Sequence, residues 1–228
     1  MKQFKNITLF GLDCVDIDRL ILAAEICQKD FEFSSVKLLT SIESSNPNVV
    51  KINPVVSHSE YSSFIIEKMA DYIETDFALL IQHDGFILNS NAWDDAFLDY
   101  DYIGAPLWEE GRYIVGNGGF SLRSKKLLKI IKESKYKITN DYPEDWFISV
   151  VMRQDLESKG IRFAPIEIAQ KFSFEANDNG GVEWGGQFGF HGLRWTDISL
   201  WLTKHPEYTI DNTLDSWALG VKEKFVKQ

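Results

Sequence analysis

A chain of 228 residues can bury a sizeable core in one domain, and its 44% hydrophobic and 25% charged content is ordinary for a globular fold. Its 24 basic against 34 acidic residues leave a formal charge of −10, which argues against the basic face of a nucleic-acid binder and against general attraction to anionic lipid. Two cysteines, Cys14 and Cys27, are too few for a disulfide framework or a zinc cluster.

The opening stretch MKQFKNITLFGLDCVD acquires acidic residues too early for a signal peptide, and no apolar run approaches the length of a membrane span. A cytoplasmic protein without a transmembrane segment is therefore expected. NITLFGL (6–12) predicts a first strand and DIDRLILAAEICQKD (16–30) an amphipathic helix after it. SSVKLLTS (34–41) and VVKINPV (49–55) read as short strands. Ser57 and Glu60 have the spacing of a capping box, and Tyr61, Phe64, Ile65, Met69, Tyr72 and Ile73 continue from it as one helical stripe. DFALLIQHDGFIL (76–88) then carries a continuous apolar run, the pattern of a parallel strand covered on both faces. Strand, helix, strands, helix, strand in this order imply a sheet with helices on its faces.

The second half is less regular. NAWDDAFLDY (91–100) predicts a short helix, DYIGAPLW (101–108) a short strand, and YIVGNGGFSLR (113–123) a strand broken by Gly116, Gly118 and Gly119. Ser124 can cap the basic helix KKLLKIIKES (125–134). PEDWFISVVMRQDLESKG (143–160) reads as one helix with Pro143 in its first turn and Gly160 at its end. IRFAPIEIAQKFSFE (161–175) is expected to return to the sheet, and the glycine-rich NDNGGVEWGGQFGFHG (177–192) to be irregular. Residues 1–228 form a single domain in this reading. The apolar, aromatic tail from about residue 196 would cover an acceptor or make an oligomer contact.

Four places offer functional groups. Gln82, His83 and Asp84 end a buried strand, where ligands gather in open α/β sheets; a loop aspartate capping the next turn is the plain alternative. Asn117, Gly118 and Gly119 lie where backbone amides can approach a ligand closely, or where a bend needs positive φ. Glu144 and Asp145 open a helix, where the dipole favours carboxylates, and one of them could take a proton from a hydroxyl. His191 stands between glycines, a poor place for a core residue and a natural one for a metal ligand or phosphate donor.

Taken in this order, LIQHDGF, NGGFSLRS and EDWFI resemble the GT-A-type glycosyltransferases, and a poorly characterised GT-A-like family more closely still. The resemblance runs from SHSEYSSF to FGFHG. It implies a single GT-A-like, Rossmann-like α/β domain with a mixed, mostly parallel central sheet flanked by helices. It further implies a nucleotide-sugar donor (a UDP-sugar foremost), a glycan or glycoconjugate acceptor, and a place in polysaccharide biosynthesis. Donor contacts would come from Gln82, His83, Asp84, Asn117, Gly118 and Gly119. Acceptor contacts would come from Glu144 and Trp146, with Asp145 as the base of an inverting reaction and Glu144 beside it. Asp84 and His191 would hold a divalent cation, Mn²⁺ or Mg²⁺. Gln82 departs from the D-x-D pattern, which has an acid there. That departure keeps two other functions in view: a carbohydrate or nucleotide-sugar binder without catalysis, and a metal-dependent phosphoester hydrolase.

Overall fold

The computed structural model describes residues 1–109, 111–139, 142–176, 182–211, 213 and 218–224. Strand β1 (Lys2–Leu12) buries Ile7, Leu9 and Phe10 completely. Asp16 accepts from the amide of Asp18 at 3.1 Å and so opens helix α1 (Ile17–Gln28), which returns the chain to β2 (Phe31–Thr40), parallel to β1. The short β3 (Val49–Lys51) extends the parallel pairing beyond β2. Ser57 caps α2 (His58–Glu67) through the Glu60 amide at 3.1 Å. The reciprocal half of the capping box is shifted by one residue, because the Glu60 carboxylate accepts from Val56 at 2.9 Å. The apolar stripe outlasts the helix into a 3₁₀ turn, Met69–Tyr72, before β4 (Phe77–Ile81) inserts parallel to β1 with residues 78–81 fully buried.

Past β4 the chain departs from the elements expected. The helix expected over 91–100 is a pair of 3₁₀ turns, Ser90–Ala92 and Asp95–Asp99. The strand expected over 101–108 is two, β5 (Tyr102–Ile103) and β6 (Pro106–Glu109), in different sheets. The break falls at Gly104, where a β-carbon would lie 2.3 Å from the Asn117 carbonyl oxygen. β6 pairs with β7 (Arg112–Val115) as a hairpin, and β8 (Ser121–Ser124) returns to the main sheet. Ser124 then caps α3 (Lys125–Lys132) through the Leu127 amide at 3.0 Å.

The helix expected over 143–160 is interrupted. After α4 (Glu144–Trp146) the backbone widens into a π turn, Phe147–Val151, closed by the Met152 amide donating to Phe147 O at 2.9 Å; α5 (Arg153–Ser158) follows, and Gly160 ends it at φ +76°. The expected return to the sheet over 161–175 does not occur, apart from a single bridge between Phe163 and Tyr102. Pro165 instead starts α6 (Ile166–Phe172), whose buried Ala169 and Phe172 are three residues apart, one helical turn. β9 (Ser173–Phe174) follows. Residues 177–181 of the glycine-rich stretch lie outside the described residues. Beyond them come three two-residue strands: β10 (Val182–Glu183), β11 (Gly189–Phe190) and β12 (Thr196–Asp197). The tail forms α7 (Ser199–Lys204) and an antiparallel pair, β13 (Tyr208–Asp211) and β14 (Gly220–Glu223).

The central sheet has the order β3-β2-β1-β4-β8-β5, parallel through the first four strands and antiparallel in its last two pairings. Helices flank it: α2 packs on α3 and α4, while α1 packs on β2 and β14. β1 lies between its two parallel neighbours, so the strand order reverses there and the carboxyl ends of β1 and β4 emerge side by side. Most of the aromatic wealth is core, since Phe97, Phe120, Phe172 and Phe188 are fully buried in one cluster. No described helix is long and apolar enough to cross a membrane.

Candidate functional site

Strand geometry stops at Ile81, and a tight turn follows in which Gln82 and Gly85 exchange two backbone hydrogen bonds of 3.2 and 3.1 Å. His83 and Asp84 form the tip of this turn, so strand alternation does not govern where Gln82 and Asp84 point. Both nevertheless reach His191, which follows Phe190 at the end of β11: Gln82 Oε1 lies 3.0 Å and Asp84 Oδ1 3.6 Å from His191 Nε2. On its other nitrogen, His191 Nδ1 is 3.0 Å from Glu175 Oε1, and Asn117 donates to the second oxygen of Glu175. Tyr61, on α2, accepts from Gln82 Nε2 at 2.9 Å and so holds the amide oxygen toward the imidazole.

Glycines make room for this contact. A β-carbon at Gly119 would fall 2.0 Å from His191 Nε2, and one at Gly85 2.9 Å from His191 Cδ2. A β-carbon at Gly118 would fall 2.2 Å from Glu144 Oε1. None of Gly116, Gly118 and Gly119 has positive φ, so close approach rather than a left-handed bend accounts for the glycines of GNGG.

The two carboxylates at the start of α4 are treated differently. Glu144 is 4% exposed and pairs with Arg123 Nη2 at 2.9 Å. Arg123 is itself fully buried, with its Nε donating to Ser121 Oγ at 2.9 Å. Asp145 is more open: Oδ2 accepts from the Gly118 amide at 2.9 Å and Oδ1 from the Trp146 amide at 2.7 Å, leaving lone pairs on both oxygens. Trp146 stacks on Tyr142 at 4.5 Å, beside the cavity rather than in its wall.

These groups enclose a cavity of about 300 Å³ at the carboxyl ends of the parallel strands. Burial, reinforced by the charge of Glu144, pushes the Asp145 carboxyl up to about 7. At His191 burial works against the charge, but Asp84 and Glu175 outweigh it and push the imidazole up to about 9. Burial holds His83 below its ordinary range against the pull of Asp84, and its Nε2 is buried without a hydrogen-bond partner. Such an atom is costly unless something satisfies it.

The structure thus gathers Gln82, His83, Asp84, Gly118, Gly119, Glu144, Asp145 and His191 around one space. Asn117, 3% exposed, stands behind it and bonds Glu175. Sequence reasoning missed Tyr61, Glu175 and Arg123, and it gave no role to His58, which lines the cavity. Arg123 had left a trace: an arginine inside an apolar strand must find a buried anion. Glu175 and Tyr61 had not, because their partners are 16 and 21 residues away.

Among the described residues no three His, Cys, Asp or Glu side chains gather as a metal-binding group. The donors at this corner are instead a carboxylate oxygen, an amide oxygen and an imidazole nitrogen.

A mixed α/β sheet with its polar cavity at the carboxyl ends of the central strands describes the class of the molecule. The chain belongs to the family described as "Protein of unknown function (DUF5672)", whose profile matches residues 46–191. Among solved structures it is similar to one titled "Crystal Structure of A197 from STIV", with 15% identity and a TM-score of 0.36 over 64% of this chain and 75% of that one. No curated protein matches it.

Proposed function

We propose that this protein transfers a glycosyl group from a nucleotide-sugar, a UDP-sugar foremost, to a hydroxyl of a glycan or glycoconjugate. The observation that carries the reading is the division of one cavity. Asp145, whose carboxyl is raised toward neutral pH and accepts from the Gly118 amide, stands on the Gly118 side, while Asp84, Gln82 and His191 meet in a second polar corner across the Gly118–Gly119 backbone, which in this reading takes the diphosphate. The strand order β3-β2-β1-β4 supports a Rossmann-like, GT-A-like domain, since ligands bind where the order reverses. The buried, unpartnered Nε2 of His83 supports a polar ligand at the same end.

In this reading the acceptor hydroxyl attacks the anomeric carbon and gives its proton to Asp145. The bond to the nucleotide diphosphate breaks on the opposite face, so the configuration inverts. General-base assistance of this kind is most effective when the base titrates near the working pH. Negative charge develops on the leaving diphosphate. Asp84 Oδ1 and Gln82 Oε1, joined by His191 Nε2 once that ring has given up its proton, would hold Mn²⁺ or Mg²⁺, and such an ion would supply positive charge to the diphosphate. Glu175 fixes the orientation of His191 whether that ring binds a cation or stands protonated. The acceptor role that the resemblance gives Glu144 has less support, because its carboxylate is taken up by Arg123.

One observation favours a second reading, a nucleotide-sugar binder without catalysis: Gln82 replaces an acid and removes one negative charge from the cation site. A two-metal phosphoester hydrolase draws on a richer set of acids and histidines than this corner offers. Thermal shift with UDP and GDP, each with and without Mn²⁺, followed by mass-spectrometric detection of sugar transfer or release from UDP-sugars, separates these functions. Nucleotide-dependent stabilisation with turnover that Asp145→Asn abolishes is expected. Binding without turnover would favour the binder, and no binding by any nucleotide would remove both readings.

A further inference from the structure

Beside the Asp145 cavity lies a second cleft, of about 440 Å³, between the β6–β7 hairpin and the segment formed by α6 and β9. That volume is within the ~300–1,000 Å³ range typical of small-molecule sites. Its rim carries Trp108 and Tyr113, which are directly opposite in register across the hairpin with rings 4.9 Å apart at 74°. A cross-strand aromatic pair stabilises a hairpin by ~0.2–1 kcal/mol, which accounts for the two rings meeting. It does not account for where they stay, because Trp108 is 58% and Tyr113 54% exposed. Trp93, Trp184 and Trp201, by contrast, are buried in the body of the protein.

The rest of the lining has a definite chemistry. Leu107 and Phe174 give it apolar surface, while Gln170, Gln187 and Glu175 add amide and carboxylate groups. No lysine or arginine is among the described lining residues. An amide both donates and accepts, as a sugar hydroxyl does. A pyranose offers an apolar C–H face to an aromatic ring and a rim of hydroxyls to such amides. A carboxylate in the wall and a formal charge of −10 on the chain disfavour an anionic ligand. Glu175 also lines the Asp145 cavity, so the two spaces share a wall.

We infer that the cleft bounded by Trp108, Tyr113 and Gln170 is a binding site for a neutral saccharide, seated against the aromatic pair and leading past Glu175 toward Asp145. As the acceptor site of the reaction it rests on the transferase reading; as a saccharide site it stands on its own lining.

Titration calorimetry with maltohexaose, cellohexaose, mannohexaose and chitohexaose tests it directly. At least one hexasaccharide should bind the wild-type protein. Trp108→Ala should weaken that binding about tenfold, as loss of an aromatic anchor does, and Trp108→Phe should restore much of it. Gln170→Ala, outside the hairpin, should weaken it as well; UDP binding should be unchanged in all three variants, melting temperature unchanged in Gln170→Ala, and Trp108→Ala should lose at most about 2–4 °C, the worth of the cross-strand pair. If none of the four sugars binds, or if Trp108→Ala and Gln170→Ala bind as tightly as wild type, the inference is overturned. It is equally overturned if sedimentation shows a dimer that Trp108→Ala dissociates, since the aromatic pair would then belong to an interface between two copies of the chain. Sugar release from UDP-sugars without saccharide binding would sink the cleft and spare the transferase. Trp108-dependent saccharide binding without any nucleotide binding would do the reverse.

Discussion

Asp145 and Glu144 are neighbours in sequence, yet their side chains meet opposite surroundings. Adjacent positions on a helix point ~100° apart, and here one faces the Gly118 amide while the other enters the core to meet Arg123. Their substitutions should therefore fail in different ways. Asp145→Asn is nearly isosteric and should leave UDP binding intact while transfer falls by ~10²–10⁴, the usual worth of a general base. Glu144→Ala strands a buried guanidinium, a loss of ~3–5 kcal/mol in stability, and should lower the melting temperature sharply before any kinetic effect can be read. Asp145 also implies a pH signature. The folded carboxyl titrates at about 7 against a reference value of 3.8, so between these values the folded state binds more protons than the unfolded one. Stability contributed by this group is full below pH 3.8 and is lost as pH rises through about 7. In urea denaturation, Asp145→Asn should thus match wild type near pH 4 and exceed it at pH 8. Equal stability of the two at both pH values would show that the carboxyl is not held neutral. The proposed transfer by the wild-type protein should rise with pH up to about 7 and level off above it.

At the scale of elements, the site depends on how closely the Gly118–Gly119 segment can pass the His191 ring. Gly119→Ala puts a methyl carbon 2.0 Å from His191 Nε2, well inside van der Waals contact. The ring cannot swing freely, because Glu175 and Gln82 hold its two nitrogens. Gly119→Ala should therefore weaken Mn²⁺-dependent UDP binding, measured by titration calorimetry. Glu175→Gln should do the same by ~10–100-fold, the usual cost of losing a residue that orients a metal-binding histidine. Unchanged affinity in both variants would take His191 out of the proposed nucleotide site. The same region marks the limit of what sequence could reveal. β1, α1, β2 and the capped α2 were readable because each announces itself locally, by an apolar run, by periodicity or by a Ser57-type cap. The widening at Phe147–Val151 was not, since a π turn has no periodicity of its own at that length. α6 was missed for a related reason: IRFAPIEIAQKFSFE has the apolar density of a strand, and only the spacing of Ala169 and Phe172 distinguishes the helix. In the site, the residues that carry motifs were legible, but Glu175 and Tyr61 were not. Their importance comes from partners that only the fold brings near.

At the scale of the molecule, the tail and the site are mechanically joined. Trp201, 2% exposed on α7, packs edge-to-face on Phe86 at 5.8 Å, and Phe86 directly follows the turn that carries Asp84. Behind it Tyr208 stacks on Trp201 at 5.4 Å, Lys29 at the C-cap of α1 lies over Tyr208 at 4.6 Å, and the same lysine pairs with Glu207 at 3.0 Å. The tail is therefore clamped between α1 and the end of β4, next to the proposed donor corner. Trp201→Ala should cost ~3–5 kcal/mol, as large-to-small changes of a buried tryptophan do. That is a large part of the ~5–15 kcal/mol that separates folded from unfolded domains. A ligand that binds only the folded state stabilises it by ~2.7 kcal/mol at one hundred times its dissociation constant. UDP with Mn²⁺ at that excess should accordingly recover much of the lost melting temperature if Trp201 supports the fold without shaping the donor corner. If Trp201 also positions Asp84 through Phe86, the variant should need a higher UDP concentration for the same recovery, and its Mn²⁺ dependence should weaken. The packing predicts the second outcome, because Phe86 lies only two residues beyond Asp84 and is itself fully buried. A Trp201→Ala protein that melts like wild type, but sediments as a smaller species, would instead make the tail an oligomer contact.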